Sequence, residues 1–448
     1  MGLGISHYLP LLLYIAGIVS AFFSLLYAPA AGFFFLVPLL PYTSVLEKLQ
    51  PYFWGKNLPN ILFLCVIVGW FFRRSNREKN SDCKNDLNRP VFWLVISSII
   101  GFANGLMSKG MDVSYIVDWK DYMFLPLIWL LTVQVMKDKK TLKLFTLALI
   151  IGIIGVNYYY FSNLKWMDLT HFSYKNRDAF MGIFVYLGAN HYGAFFVHFF
   201  FILMGFLLFT KSKFQKIGLV IIISLSVYNI MYSYSRGAYL ALFAGLFFLG
   251  LMKERKILVL LAVFLIFWKS FAPVSVIERI EMTRSDNGQL EESAAERVML
   301  WQKAWDMFLA SPVIGEGFNT FEFNGFIDTH NYYLKMLAEE GVIGLVTFLY
   351  VLLSALKMSW KLYRESTDDY FRAIGLGFAL CVVSVLITNF FGNRWSYLSL
   401  GAYFWAFMGI MTRSYLIHCG ELAAGETIER PPEQVPPGAV RHAVKGRL

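Results

Sequence analysis

The sequence predicts an all-α protein that crosses a membrane about twelve times and carries one long loop with amphipathic helices on one side. Three observations lead there. The 448 residues are 57% hydrophobic and 18% aromatic but only 16% charged, and the mean hydropathy is +0.53, outside the range of water-soluble domains. Apolar runs close to the ~20 residues a span needs recur along the chain, among them VFWLVISSIIGFANGLM from Val91, LFTLALIIGIIGVNYYYF from Leu144 and AIGLGFALCVVSVLITNFF from Ala373. The net charge of +10 is spread over short Lys and Arg clusters at alternate loops, not over the single stripe a nucleic-acid surface would show, so no nucleic-acid partner is expected.

From the N-terminus, MGLGIS fits a myristoylation pattern and Ala28-Pro29-Ala30 a cleavage site. Neither is expected to be used, because the first residues lack Lys and Arg and cleavage would reverse the loop charges that follow. Ala31 to Tyr42, broken by Pro38 and Pro41, is short for a span and reads as a re-entrant element; if it crossed, the count would be about thirteen. The basic clusters are Arg73 to Lys84, Lys137 to Lys143, Lys211 to Lys216, Lys253 to Lys256, Lys357 to Arg364 and the tail from Arg413. A pair of spans separates each from the next, so these loops read as cytoplasmic and the loops between them as external. Cys65 and Cys381 fall in spans and Cys83 and Cys419 in basic loops, so no structural disulfide is expected.

This divides the chain into N-terminal spans (1–161), spans carrying an external loop 162–180 and hairpin 232–239 (162–272), a long external loop (273–340), C-terminal spans (341–412) and a cytoplasmic tail (413–448) with the Pro-rich PPEQVPP. Long loops in compact bundles usually carry function. In the long one, SAAERVMLWQKAWDMFLASP has Val298, Trp301, Trp305, Phe308 and Leu309 at helical spacing and should lie along the membrane surface. PVIGEGF then makes a turn, and Asp328 or Thr329 is a candidate cap for a helix starting near His330.

Arg236, in YSYSRGAYLALFAG, starts a span with no further charge nearby. A guanidinium there either snorkels to the headgroups or grips an anion, a phosphate fitting its planar fork best. Arg177, in KNRDAF, raises the same question, with neutralisation by its neighbour Asp178 as the alternative, and Arg284, Arg297 and Arg394 are further external arginines. Asn190 and His191, in GANHYGAF, lie inside a span and read as an interhelical hydrogen bond or a cavity lining. His330 is a candidate base, being largely neutral at pH 7 and set at a helix N-terminus, which disfavours its charged form; a surface or capping role is the alternative. Glu339 and Glu340 sit roughly 15 Å further along a helix, and are expected at headgroups or beside an arginine. No metal-ligand spacing and no Gly-rich nucleotide loop stands out, so neither metal nor cofactor is expected.

His330-Asn331 followed by Gly341 and Gly344, together with SRGAYLAL, the Arg297 to Ala304 R-x-x-x-W-x-x-A run and PVIGEGFNTF, resembles the O-antigen ligase family over about Arg177 to Leu352. The resemblance implies a multi-pass glycosyltransferase of the bacterial inner membrane with its active site facing the periplasm. The implied reaction is inverting transfer of a glycan from undecaprenyl diphosphate to an acceptor hydroxyl, without metal. By the same resemblance His330 would be catalytic and Arg236 and Arg177 would hold the diphosphate, with Asn331, Asn190, His191 and Arg297 as supporting candidates. The preferred acceptor is lipid A core; polysaccharide polymerases and protein O-oligosaccharyltransferases are the alternatives within the family. A transporter of lipid-linked sugars, which would show repeats and mid-membrane charges, is less favoured.

Overall fold

The computed structural model describes residues 8–73, 84–110, 112–178, 183–184, 187–282, 292–326 and 328–429, and among them every long element is a helix. The first half contains α1 (Leu9–Leu26), α2 (Pro29–Leu39), α3 (Thr43–Glu47), α4 (Leu58–Arg73), α5 (Asn88–Lys109), α6 (Val113–Val135), α7 (Lys139–Leu164) and α8 (Tyr174–Asp178). There follow α9 (Ala189–Phe209), α10 (Lys213–Tyr232), α11 (Arg236–Met252), α12 (Lys256–Phe271), α13 (Val274–Glu281), α14 (Glu292–Ala310), α15 (Thr320–Phe323), α16 (Tyr332–Glu365), α17 (Asp369–Thr388) and α18 (Leu398–Glu429).

The apolar runs form helices because a helix satisfies every backbone group internally, the condition for entering hydrocarbon. Polar residues in the basic loops fix where they start. Asp138 accepts from the Thr141 N–H at 2.9 Å at the head of α7, and Asp368 accepts from the Tyr370 and Phe371 N–H groups, both at 3.1 Å, at the head of α17. Such caps are each worth about 1 kcal/mol.

Helices α9 and α17 are the most buried of the candidate membrane spans and pack on each other. Glycines set their separation: a Cβ on Gly205 would stand 2.3 Å from the Ala373 carbonyl oxygen and 2.8 Å from the Gly377 Cα. Close backbone approach of this kind is how helices associate in lipid. Gly205→Ala is therefore expected to cost about 1–3 kcal/mol by overpacking, seen as a lower melting temperature of the detergent-purified protein.

Among the described residues eight helices, α1, α4, α5, α7, α9, α10, α16 and α17, are long and apolar enough to cross a membrane, with a ninth if α12 and α13, bent 105° apart, form one broken span. Helix α6 carries Asp118, Lys120 and Asp121, and α11 has 17 residues. The segment read as re-entrant overlaps α2, an 11-residue helix with Pro38 inside it, shorter than a span.

Three expectations meet different outcomes here. Cys419 is disulfide-bonded, against the expectation of none, while Cys65 and Cys381 are free; compartment chemistry argued against a bridge, but it carries no information on which thiols lie close together. Helix α14 buries Leu300, Ala304 and Met307 against Phe321 and Ala338, so the stripe containing Val298, Trp305 and Leu309 is its exposed face. Cys83, Arg284 and PPEQVPP lie outside the described residues.

Candidate active site

The site is built on a break in α16. Gly341 has φ +65° inside that helix, which frees carbonyls ahead of it and N–H groups after it. The PVIGEGF turn meets both sets. Glu316 and Gly317 donate to the Ala338 and Glu339 carbonyls, each at 2.9 Å, and Pro312 and Val313 accept from the Val342 and Ile343 N–H groups at 2.9 and 3.3 Å. Four backbone groups that a bare helix break would leave unsatisfied are thereby paired. A Cβ on Gly341 would stand 2.4 Å from the Val313 carbonyl oxygen, so glycine is required here by both conformation and space. The same turn reaches α5, where the Gly101 carbonyl accepts from the Phe318 N–H at 2.9 Å.

Beneath this segment lies a buried ionic cluster. Lys335 Nζ donates to Glu322 at 2.7 Å and Asn319 at 2.9 Å, with Glu339 3.6 Å away. Glu339 also accepts from the Phe321 N–H at 3.3 Å, and Glu340 accepts from Ser97 at 2.7 Å. Both glutamates are buried, which corrects the expectation that they face headgroups or an arginine. The helix break turns them inward, and the partners they find are Lys335 and Ser97. Because removing one member of a buried pair leaves an uncompensated charge, Lys335→Met is expected to destabilise the protein by about 3–5 kcal/mol. Adding Glu339→Leu should recover part of that loss in the same unfolding measurement.

His330 sits just outside this helix. Neither Asp328 nor Thr329 caps α16, which begins at Tyr332; the cap is Asn331, whose Oδ1 accepts from the Tyr333 and Leu334 N–H groups at 3.0 and 3.2 Å. The correction follows from His330 itself, whose φ of +52° is incompatible with a helical turn. Thr329 holds that conformation, its hydroxyl donating to the Asn331 carbonyl at 2.8 Å and accepting from the Asn331 N–H at 3.3 Å. A non-glycine residue kept in the left-handed region costs about 1–3 kcal/mol, and such strain gathers at functional sites. It aims the imidazole at Asp328, with Nδ1 3.5 Å from Oδ2. Asp328 is itself buried, and its Oδ1 has no hydrogen-bond partner among the described residues. Burial lowers the His330 pKa below its ordinary 6.5; Asp328 opposes this, and Arg297 and Arg394 add to it.

Arginines complete the surroundings. Arg394 is buried in the connection between α17 and α18, where its guanidinium donates to the Asn393 carbonyl at 3.1 Å and the Phe391 carbonyl at 3.4 Å. Burial pulls its pKa down to about 10, against the attraction of Asp328 and Tyr397 and with repulsion from Arg297 and Arg177, so it remains a cation at neutral pH. Arg236, the first residue of α11, lies within the field of Arg279, Arg297 and Arg177. Arg279 is stacked on Phe172 and Tyr174, 4.9 and 5.3 Å from their ring centroids, and donates to the Tyr174 hydroxyl at 3.0 Å. His191 packs edge-on against Tyr397 at 5.2 Å and feels both Arg394 and His330.

One electrostatic basin thus holds His330, Arg177, Arg236, Arg297 and His191 from the sequence-based candidates. Asn331 is spent on capping α16, and Asn190 is half-buried in the first turn of α9. Residues 219–349, which include Arg236, Arg297, Asp328 and His330, match the family model described as O-antigen ligase. Over that segment the chain is similar to the O-antigen ligase family. No curated protein matches it. The family and the multi-span helical fold together indicate a membrane protein of ligase-type glycosyl transfer. The sequence reading passed over Asp328, taken for a cap, and Arg279. Asp328 stands two residues from the histidine, a spacing that only the left-handed turn at His330 converts into a side-chain pair.

Proposed function

We propose that the chain moves a glycan from undecaprenyl diphosphate to an acceptor hydroxyl at the periplasmic face of the bacterial inner membrane, with inversion and without metal, and that the acceptor is lipid A core. The observation that carries this reading is the single basin joining the His330–Asp328 pair to Arg177, Arg236, Arg297 and Arg394. With Nδ1 turned to Asp328, the other ring nitrogen, Nε2, is left to take the proton of the acceptor hydroxyl. The hydroxyl oxygen bonds to the anomeric carbon as the bond from that carbon to the diphosphate oxygen breaks. The leaving oxygen keeps the electron pair, and the fixed arginines stabilise its charge. Asp328 stabilises the imidazolium that forms, as an orienting carboxylate does in other acid–base pairs.

Counting α6, α11, α12 and α18 with the eight apolar helices gives a twelve-span topology, with residues 273–340 outside. An impermeant maleimide should then label Lys303→Cys but not Lys140→Cys in intact cells; the reverse pattern would overturn the orientation and the periplasmic site with it. For the reaction, the purified protein in liposomes is expected to transfer a labelled glycan from undecaprenyl diphosphate to lipid A core. Deleting the gene tests the acceptor on a lipopolysaccharide gel: core without long chains fits ligation to lipid A core, core with a single repeat indicates a polymerase, and an unchanged pattern indicates another acceptor.

A further inference from the structure

At the other end of the bundle from His330, where α5 begins and α16 ends, the structure forms a cavity of about 770 Å³. Lys84, Arg89, Lys357 and Lys361 line it, with Asp86 as the one carboxylate. These cations come from the segment before α5, the first turn of α5 and the last third of α16, so only the folded bundle gathers them. Lys361 donates to the Tyr415 hydroxyl of α18 at 2.6 Å; a phenol orients an ammonium group without neutralising it. Among the described residues none of the four cations makes an ion pair. Lys139 and Lys211, in other basic loops, do pair, with Asp368 and Asp369 at 2.7 Å each. Asp86 and Glu365 lie close enough to act on Lys361, but among the lining residues one carboxylate faces four cations.

Lys357 also borders a second cavity, of about 250 Å³, on another flank of α16, where Phe248, Met252, Leu353, Leu356 and Leu380 line an apolar groove between α11, α16 and α17. A polar cationic cavity and an apolar groove therefore meet at one lysine, whose stem can lie along the groove while its ammonium faces the polar side. We propose that this is a binding site for an anionic glycerophospholipid of the leaflet at the basic end of the bundle. The phosphodiester occupies the cavity among Arg89, Lys357 and Lys361, and an acyl chain enters the groove. Basic pockets between transmembrane helices on the cytoplasmic side recognise anionic headgroups in this way. A soluble anion would leave the groove unfilled, and a zwitterionic lipid would bring its own ammonium against the cluster. The site is independent of glycan transfer, since it uses none of the residues around His330.

The test is native mass spectrometry of the purified full-length chain after incubation with equal amounts of phosphatidylglycerol and phosphatidylcholine. A parallel thermal scan uses each lipid and inorganic phosphate alone. The wild type is expected to retain phosphatidylglycerol at least about tenfold over phosphatidylcholine and to gain melting temperature from that lipid but not from phosphate. Arg89→Gln/Lys357→Gln/Lys361→Gln should abolish the preference, whereas the Lys357→Arg/Lys361→Arg pair should keep it. If the triple variant is not monodisperse, Lys357→Gln alone is read, with a several-fold loss expected. Equal retention of the two lipids, an unchanged preference in the glutamine variants, or the same stabilisation from phosphate alone would each overturn the proposal.

Discussion

Replacing His330 with alanine is expected to lower the rate of glycan transfer by about 10²- to 10⁴-fold, the usual cost of losing a general base, with donor binding nearly unchanged. Alanine at a φ of +52° carries its own strain, so His330→Asn is the cleaner partner, because asparagine tolerates the left-handed region and cannot serve as a base at neutral pH. Both variants should lose turnover alike. The pH dependence separates a base from a structural residue. Burial, Arg297 and Arg394 hold the folded-state pKa below 6.5, so the imidazole stays neutral through the neutral range, and turnover should fall only as the pH drops below that value. The linked stability has the same sign: it is complete above the unfolded pKa and lost as the pH falls through the folded one, because the unfolded chain binds the proton more readily. Asp328→Asn removes the larger of the two opposing influences on the imidazole, Glu296 being the other, so the acid limb should move to lower pH while the maximal rate drops. Should purified His330→Asn transfer glycan at close to the wild-type rate, the histidine is a conformational element of the turn and the base assignment fails.

How far the sequence carries this reading differs from residue to residue. Hydropathy and loop charge place the long helices because the constraint behind them is local: a backbone in lipid must bond to itself. Arg236 stands out for a related reason, as a charge directly before an apolar run, whereas Arg177 in KNRDAF and His330 in DTHN stand out by their place just ahead of a predicted span or helix. What the sequence conceals is whatever depends on one backbone angle or on a distant partner. The left-handed His330 turns Asp328 from a helix cap into the partner of the imidazole, and Gly341 turns Glu339 and Glu340 from an exposed pair into buried groups held by Lys335 and Ser97. Glycine at 341 was visible, but its meaning required the PVIGEGF turn to arrive from outside the helix and pair with the break. Arg279 was hidden differently: in SVIERIEM it looks like an ordinary helix-surface charge, and only the long-range stacking on Phe172 and Tyr174 shows where it points.

Arg236→Lys is expected to reduce transfer by about 10²- to 10³-fold, the scale on which a fixed donor aimed at developing negative charge contributes. The substitution keeps the charge and loses the fork, so it tests geometry rather than electrostatics. Arg236 is the first residue of α11, directly after the Ser235 cap, where the N-terminal end of the helix also favours an anion. Its surroundings argue against a simple anchor to headgroups. Arg279, Arg297 and Arg177 all repel it, so a diphosphate placed among them would be attracted by several fixed cations at once. A snorkelling arginine would be replaced by lysine without penalty, since either cation reaches the headgroups. An arginine held among others for an anion should instead be needed for its geometry: Arg236→Gln loses transfer while the protein still inserts and purifies as a monodisperse species. Donor analogues carrying a diphosphate should then raise the melting temperature of the wild type more than that of either variant. Full activity in Arg236→Lys, with the same thermal response to the diphosphate, would reduce Arg236 to a point charge at the membrane surface and return the leaving-group role to the remaining arginines of the basin.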